Sequence, residues 1–124
     1  MKTRLFLTQG IKQGECHRLI NITFNNAKRT LTVKGHANYA ESGKDIVCSA
    51  ISVLTDTLIK TLKSYEQTAL REPVKLKEKD GYKQIKYSVK SKYEQNIAIV
   101  LFTILNGYEG VANTYPDYVK FEYE

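Results

Sequence analysis

The spacing of apolar residues changes several times along this chain, and the order of those changes limits the possible folds. "CHRLINITF" and "TLTVKGHA" alternate apolar and polar residues around the turn-forming "NNAKR", which predicts a β-hairpin. From Asp45 to about Tyr65 the apolar residues recur at helical spacing, and "YEQNIAIVLFTILNGYEGVANTY" repeats that pattern. A second hairpin, with Asp80-Gly81 as its turn, separates the two helices, and "DYVKFEYE" predicts a final strand. The order ββαββαβ indicates an α+β fold, with two helices packed on one face of a mostly antiparallel sheet.

The chain has 124 residues, which is enough for one domain with its own hydrophobic core. We therefore expect a single domain over residues 1–124, with residues 1–14 as an appended strand or arm. No apolar run approaches the roughly 20 residues that span a bilayer, and the first residues have too short an apolar core for a signal peptide. These features predict a cytoplasmic protein, in which the two cysteines are expected to be reduced thiols.

Basic residues outnumber acidic ones, with 19 Lys and Arg against 13 Asp and Glu, giving a formal net charge of +6. Such a balance points weakly to an acidic partner or to nucleic acid. The densest basic run, "VKLKEKDGYKQIKYSVKSK", alternates with a period of two, which is typical of the solvated face of a hairpin. A non-enzymatic basic module that binds nucleic acid or the ribosome is the alternative function, and it ranks second.

One segment, "GHANYAESGKDIVCSAIS" (residues 35–52), holds one of the two histidines and one of the two cysteines. At about 100° per residue, one arc of the predicted helix carries its polar residues, namely Asp45, Cys48, Ser49, Ser52, Thr55 and Asp56. The opposite arc is expected to face the sheet and carries Ile46, Val47, Ala50, Ile51, Val53, Leu54, Leu58 and Leu62. This pattern places Cys48 near the edge of the polar side of the helix.

If Ser42 or Asp45 caps the helix, Cys48 lies in or just after its first turn. The positive end of a helix favours a thiolate by only about 0.3–1 kcal/mol, so a fast nucleophile also needs a base. His36 is the natural candidate, because it ends a strand with Lys34 and His36 on one face. A surface histidine at a strand end is the other interpretation. No cluster of three or four ligands predicts a metal site, and no cofactor is expected.

The same segment closely resembles the ribosomal-processing cysteine protease family (Prp). Members of that family carry a Gly-His-Ala segment and, a fixed interval later, Asp-Ile-Val-Cys-Ala-Ala with a following Ser. The resemblance extends, as element order, from about Glu15 to the end of the chain. It implies Cys48 as the nucleophile and His36 as the base, with Asp45 and Ser52 at the matching acidic and hydroxyl positions. Ser49 stands where alanine is usual in the family.

The resemblance also implies a substrate and an assembly. It predicts a homodimeric cytosolic endopeptidase that removes the N-terminal extension of a bacterial large-subunit ribosomal protein. A net charge of +6 would slow the encounter with a basic ribosomal protein. A phage-encoded relative that cleaves a virion precursor is therefore a variant of the same hypothesis.

Four residues around Cys48 and His36 are expected to contact the peptide substrate: Gly35, Tyr39, Gly43 and Ser49. The segment 37–44 is expected to be mobile in the free protein and to order over the substrate, with Tyr39 packing near the scissile bond. The other interpretation of Tyr39 is that it covers the end of the sheet.

Overall fold

Seven regular elements make up the part of the chain that the computed structural model describes, which is residues 19–35 and 45–124. In chain order they are β1 (Ile20–Asn25), β2 (Thr30–Lys34), α1 (Ile46–Ser64), β3 (Lys75–Lys79), β4 (Tyr82–Lys86), α2 (Glu94–Thr114) and β5 (Val119–Tyr123). A short 3-10 turn, Ser91–Tyr93, leads into α2. The predicted order ββαββαβ and the α+β class are confirmed. The predicted arm at residues 1–14 lies outside the described residues.

The five strands form one sheet in the order β3-β4-β2-β1-β5. All neighbouring pairs are antiparallel except β1 and β5, which run parallel because α2 carries the chain back across the sheet. Asp80-Gly81 connects β3 to β4, as predicted, and Gly81 has a positive φ of 70°, which glycine adopts without strain.

The two faces of the sheet differ sharply in polarity. On β1, Ile20, Ile22 and Phe24 are buried, whereas Asn21 and Thr23 point to the opposite face. Both helices contribute to the same buried cluster as these apolar strand residues, so both lie on the apolar face. The alternation in the sequence thus correctly predicts a two-layer fold, and it leaves the second face of the sheet polar.

Helix α1 faces the sheet with a narrower apolar stripe than the sequence predicts. Ile46 and Val53, expected to face the sheet, are 53% and 63% exposed. Thr55, expected on the polar side, is only 2% exposed. Its hydroxyl donates to the Ile51 carbonyl at 2.8 Å and lies 2.7 Å from the Tyr108 hydroxyl of α2. These bonds satisfy the buried hydroxyl of Thr55, so a polar residue can occupy a core position between the helices.

By length and composition alone, Ser91–Thr114 is the one segment among the described residues that could cross a membrane. Its buried residues, however, recur at helical spacing and pack into the core: Ile97, Leu101, Ile104, Leu105 and Tyr108. Core packing therefore accounts for the apolar residues on one side of this helix, whereas Ile99 and Phe102 on its other side are exposed.

Two glycines near the end of α2 give a matched pair for testing how the helices pack. A Cβ on Gly107 would lie 2.6 Å from Cδ2 of Leu54 on α1, whereas a Cβ on Gly110 would meet nothing within 4 Å. We expect Gly107→Ala to lower the free energy of unfolding by about 1 kcal/mol through overpacking. Gly110→Ala should raise it by about 0.5–1 kcal/mol, because alanine favours the helix. Urea unfolding measures both, and equal stabilisation by the two would show that Leu54 moves aside at no cost.

Candidate active site

Asp45 is the N-cap of α1. Its Oδ1 accepts hydrogen bonds from the backbone N–H groups of Val47 and Cys48, each at 3.0 Å. The capping role foreseen for Asp45 is therefore present in the structure. Cys48 is the third residue of α1 and lies in its first turn, at the positive end of the helix dipole.

The cap makes a direct prediction for stability. Asp45→Ala removes the acceptor of two N–H groups and should lower the free energy of unfolding by about 1 kcal/mol. Asp45→Asn should lose less than half of that, because asparagine caps a helix about as well as aspartate. Thermal and urea unfolding of the two variants make the comparison, and an equally large loss in both would mean that the carboxylate stabilises the fold through its charge.

Cys48 is half-buried and packs against the core at the wall of a cavity of about 200 Å³. The cavity is lined by residues of α1, of the three central strands, of the end of β3 and of the segments that follow β2 and β3: Ile20, Val33, Gly35, Cys48, Ile51, Ser52, Thr55, Lys79, Gly81, Tyr82 and Lys83. Ser52 follows Cys48 by one helical turn on the same wall. The cavity thus has an apolar floor, a thiol and a hydroxyl on one side, and amino groups on the other.

Gly35 directly follows β2 and lies at the rim of this cavity. Its φ is +100°, and a Cβ there would overlap the carbonyl oxygen of Leu19. Its N–H donates to the carbonyl of Gly81 at 2.8 Å, which joins the end of β2 to the β3–β4 turn. The left-handed backbone of Gly35 ends the alternation of β2, and His36, which follows it, lies outside the described residues.

The β3–β4 hairpin supplies cavity residues that the sequence did not single out: Lys79, Tyr82 and Lys83. Lys83 bridges two elements, because its Nζ lies 3.0 Å from Asp56 on α1 and 3.3 Å from Glu78 on β3. Burial lowers the pKa of Lys83, but its hydrogen bonds to the two carboxylates outweigh that effect and leave the pKa raised. The Asp-Gly turn predicted the hairpin itself, but no local signal indicates that its turn lies beside Cys48.

The structure brings together three of the predicted site residues, since Cys48, Ser52 and Gly35 line one cavity. Ser49 is exposed and is not among the residues that line it. His36, Tyr39 and Gly43 lie outside the described residues. Within residues 19–35 and 45–124, no group of three or more His, Cys, Asp or Glu side chains could hold a metal ion.

The Cys48 thiol lies at the positive end of a helix, which favours a thiolate, and on the wall of a cavity. Comparison with known proteins identifies the class of this protein as cysteine protease. The sequence model of the family described as "Cysteine protease Prp" matches residues 19–120. The ribosomal processing cysteine protease Prp of Mycoplasma genitalium is 30% identical over 106 residues, which cover 83% of this chain and 96% of that protein. The chain therefore belongs to the Prp family of cysteine proteases.

Solved structures share the fold. SMU.848 from Streptococcus mutans has a TM-score of 0.64 at 24% identity and covers 86% of this chain and 94% of its own. The ribosomal processing protease Prp of S. aureus, in complex with a covalently linked product peptide, has a TM-score of 0.64 at 20% identity, covering 86% and 98%. The same S. aureus protease has also been solved with a substrate peptide, at a TM-score of 0.61.

Proposed function

We propose that this chain is a cysteine endopeptidase in which Cys48 is the nucleophile and His36 the general base. The observation that carries the proposal is the placement of Cys48, in the capped first turn of α1 and on the wall of a cavity. Gly35, which is covalently followed by His36, lines the same cavity. The nearness of the end of β2 to the start of α1 supports a thiol–imidazole pair made by Cys48 and the residue that follows Gly35.

In the proposed reaction, the Cys48 thiol gives its proton to His36 as its sulfur attacks the scissile carbonyl carbon. The tetrahedral intermediate collapses when the imidazolium protonates the departing amine, which leaves a thioester on Cys48. Water, deprotonated by His36, then attacks the thioester, and the sulfur leaves with the proton to regenerate the thiol. Ser52 lies one helical turn after Cys48 on the same wall of the cavity. In the proposed reaction its hydroxyl donates a hydrogen bond to the substrate.

Asp45 has a second role in this proposal, in addition to its cap. Its carboxylate is held at the start of α1 by the two N–H groups it accepts. A negative charge there stabilises an imidazolium at His36 as the thiol loses its proton. Asp45→Asn is expected to keep the fold and to lower turnover at least tenfold. Turnover near that of the unmodified protein, in a variant with unchanged stability, would restrict Asp45 to capping.

The proposed substrate is the N-terminal extension of a bacterial large-subunit ribosomal protein. The M. genitalium relative is named a ribosomal processing cysteine protease, and the S. aureus protease of the same fold binds a substrate peptide. Substrate contacts are proposed for Gly35, Tyr39, Gly43 and Ser49, with the apolar floor of the cavity taking one side chain. The proposed location is the cytoplasm, where ribosomal proteins are made and assembled. A homodimer is the proposed working form because the resemblance to the Prp family implies one.

The test uses the purified chain and a ribosomal protein precursor that carries its N-terminal extension. Mass spectrometry of the products should show one new N-terminus, and neither the precursor without its extension nor the Cys48→Ala variant should give it. The same incubation with a virion precursor tests the phage hypothesis. Cleavage of the virion precursor alone would overturn the ribosomal substrate. Identical products from the unmodified and Cys48→Ala proteins would overturn the role of Cys48.

A further inference from the structure

The face of the sheet opposite the helices is polar, basic and uncovered in the described parts of the chain. Strand register divides the β3–β4–β2 half of this face into three rows of side chains that lie opposite one another. The rows are Lys79–Tyr82–Lys34, Lys77–Gln84–Thr32 and Lys75–Lys86–Thr30. Every row contains a lysine, and no row contains a carboxylate.

Protection of the sheet edge explains only the lysines of β3. Lysines on an edge strand discourage pairing with other chains, and this accounts for the lysines of β3. Lys34 and Lys86, however, are exposed on β2 and β4, which lie inside the sheet. The ion pairs among residues 19–35 and 45–124 leave Lys34, Lys77 and Lys86 without a carboxylate partner. Their charges are therefore available to a ligand.

The acidic residues on this face mark the limit of the basic area. Glu122 on β5 lies opposite Thr23 in the register, and Glu124 follows it at the end of the chain. Both lie towards the β5 edge, so the positive charge is concentrated on the other half of the sheet. An anionic ligand would consequently lie across β3, β4 and β2.

From this arrangement we infer that the open face of the sheet binds the phosphate–ribose backbone of folded RNA. A concavity of about 670 Å³ lies on this face over β1, β2 and β4, beside the lysines of β3. Its walls carry hydroxyl, amide and amino groups, including those of Thr23, Thr32, Gln84, Lys34 and Lys86, and Glu124 is the one carboxylate among the residues that line it. Such groups hydrogen-bond to phosphate oxygens and ribose hydroxyls. Tyr82 is the one aromatic residue in the three rows, so the face has no stacking platform for successive bases.

The basic face adjoins the cavity at Cys48. Gly35 and Tyr82 line both concavities, one on each side of the sheet end. A protein bound to RNA that lies on the open face could therefore present a peptide to the cavity without leaving its RNA. This arrangement also explains how a chain of net charge +6 approaches a basic substrate. The lysines of the open face contact the RNA, and the substrate peptide enters the cavity at Cys48 on the helix side of the sheet.

The experiment measures fluorescence anisotropy of a labelled 20-base-pair RNA duplex with the full chain at several salt concentrations. The test variant combines Lys34→Gln, Lys77→Gln and Lys86→Gln, none of which lines the cavity. The control combines Lys60→Gln, Lys63→Gln and Lys92→Gln, which remove the same charge from exposed helical positions. We expect the test variant to bind roughly tenfold more weakly or worse, with a salt slope smaller by about 2 to 3, and the control to change less than threefold.

Three outcomes would overturn the inference: no binding of the duplex by the unmodified chain at low salt, equal losses in both variants, or competition by poly-glutamate as effective, per charge, as unlabelled RNA. Cleavage of a free precursor by the test variant should be unchanged. The RNA site and the protease function can therefore fail independently of each other.

Discussion

Replacement of Cys48 by alanine is expected to lower peptide cleavage by three orders of magnitude or more while the protein stays folded. No other described residue that lines the cavity offers a thiol, so the thioester step has no substitute. Stability should change by less than about 1 kcal/mol, because Cys48 is only half-buried and the change removes one sulfur atom. Cleavage rates and urea unfolding on the same preparations separate the two effects.

Thr57→Ala is the matched control for this prediction. It removes a hydroxyl from an exposed position of α1 that does not line the cavity, and it should keep near-normal cleavage. His36→Ala should lose nearly as much activity as Cys48→Ala, and the double variant little more, because the two residues act as a unit. Iodoacetamide should modify Cys48 much faster than Cys16, and His36→Ala should slow that reaction. Equal rates at the two cysteines would contradict the pair.

Replacement of Gly35 by alanine is expected to reduce both stability and activity. The new Cβ would overlap the Leu19 carbonyl oxygen, and a φ of +100° is strained for any L side chain. Backbone strain of this kind costs roughly 1–3 kcal/mol, and the overlap adds to it. Because Gly35 lies directly before His36 and lines the cavity, a shift of about 1 Å there should lower cleavage about 100-fold.

A second substitution at the same position keeps the Gly35 prediction testable if alanine prevents folding. Asparagine tolerates a positive φ better than alanine but carries the same Cβ. If the overlap with Leu19 dominates, Gly35→Asn and Gly35→Ala should be equally damaging. Gly110→Ala, whose Cβ meets open space, is the control that should keep full cleavage. Unchanged stability and cleavage in both Gly35 variants would show that the end of β2 shifts freely.

Local patterns correctly predicted the secondary structure around Cys48. The helical spacing after Asp45, together with an acidic residue that can cap, was enough to locate Cys48 in the first turn of α1. The Asp80-Gly81 turn was predictable in the same way, because it depends on the two residues themselves. Such features involve neighbours within about four residues, and the sequence displays those neighbours directly.

The same reasoning failed where the choice depended on distant partners. Ile46 and Val53 have the hydrophobicity of core residues, but the sheet and α2 cover a different stripe of α1. Thr55 looks like a surface residue, yet it is buried because Tyr108, 53 positions away, meets its hydroxyl. A helical wheel shows which residues of a helix are polar and which are apolar on each side. It contains no information about which other element covers each side.

The sequence by itself therefore determined the elements of this protein, their order, and the start of the helix that carries Cys48. Tertiary structure alone decided that β4 pairs with β2 and that the carbonyl of Gly81 accepts a hydrogen bond from the N–H of Gly35. It also decided that the lysines of three strands share one open face. The physical reason is the distance along the chain between the residues that interact. Periodicity and caps arise from interactions within a few residues, whereas strand neighbours and cavity walls arise from burial of apolar surface between segments far apart in the chain.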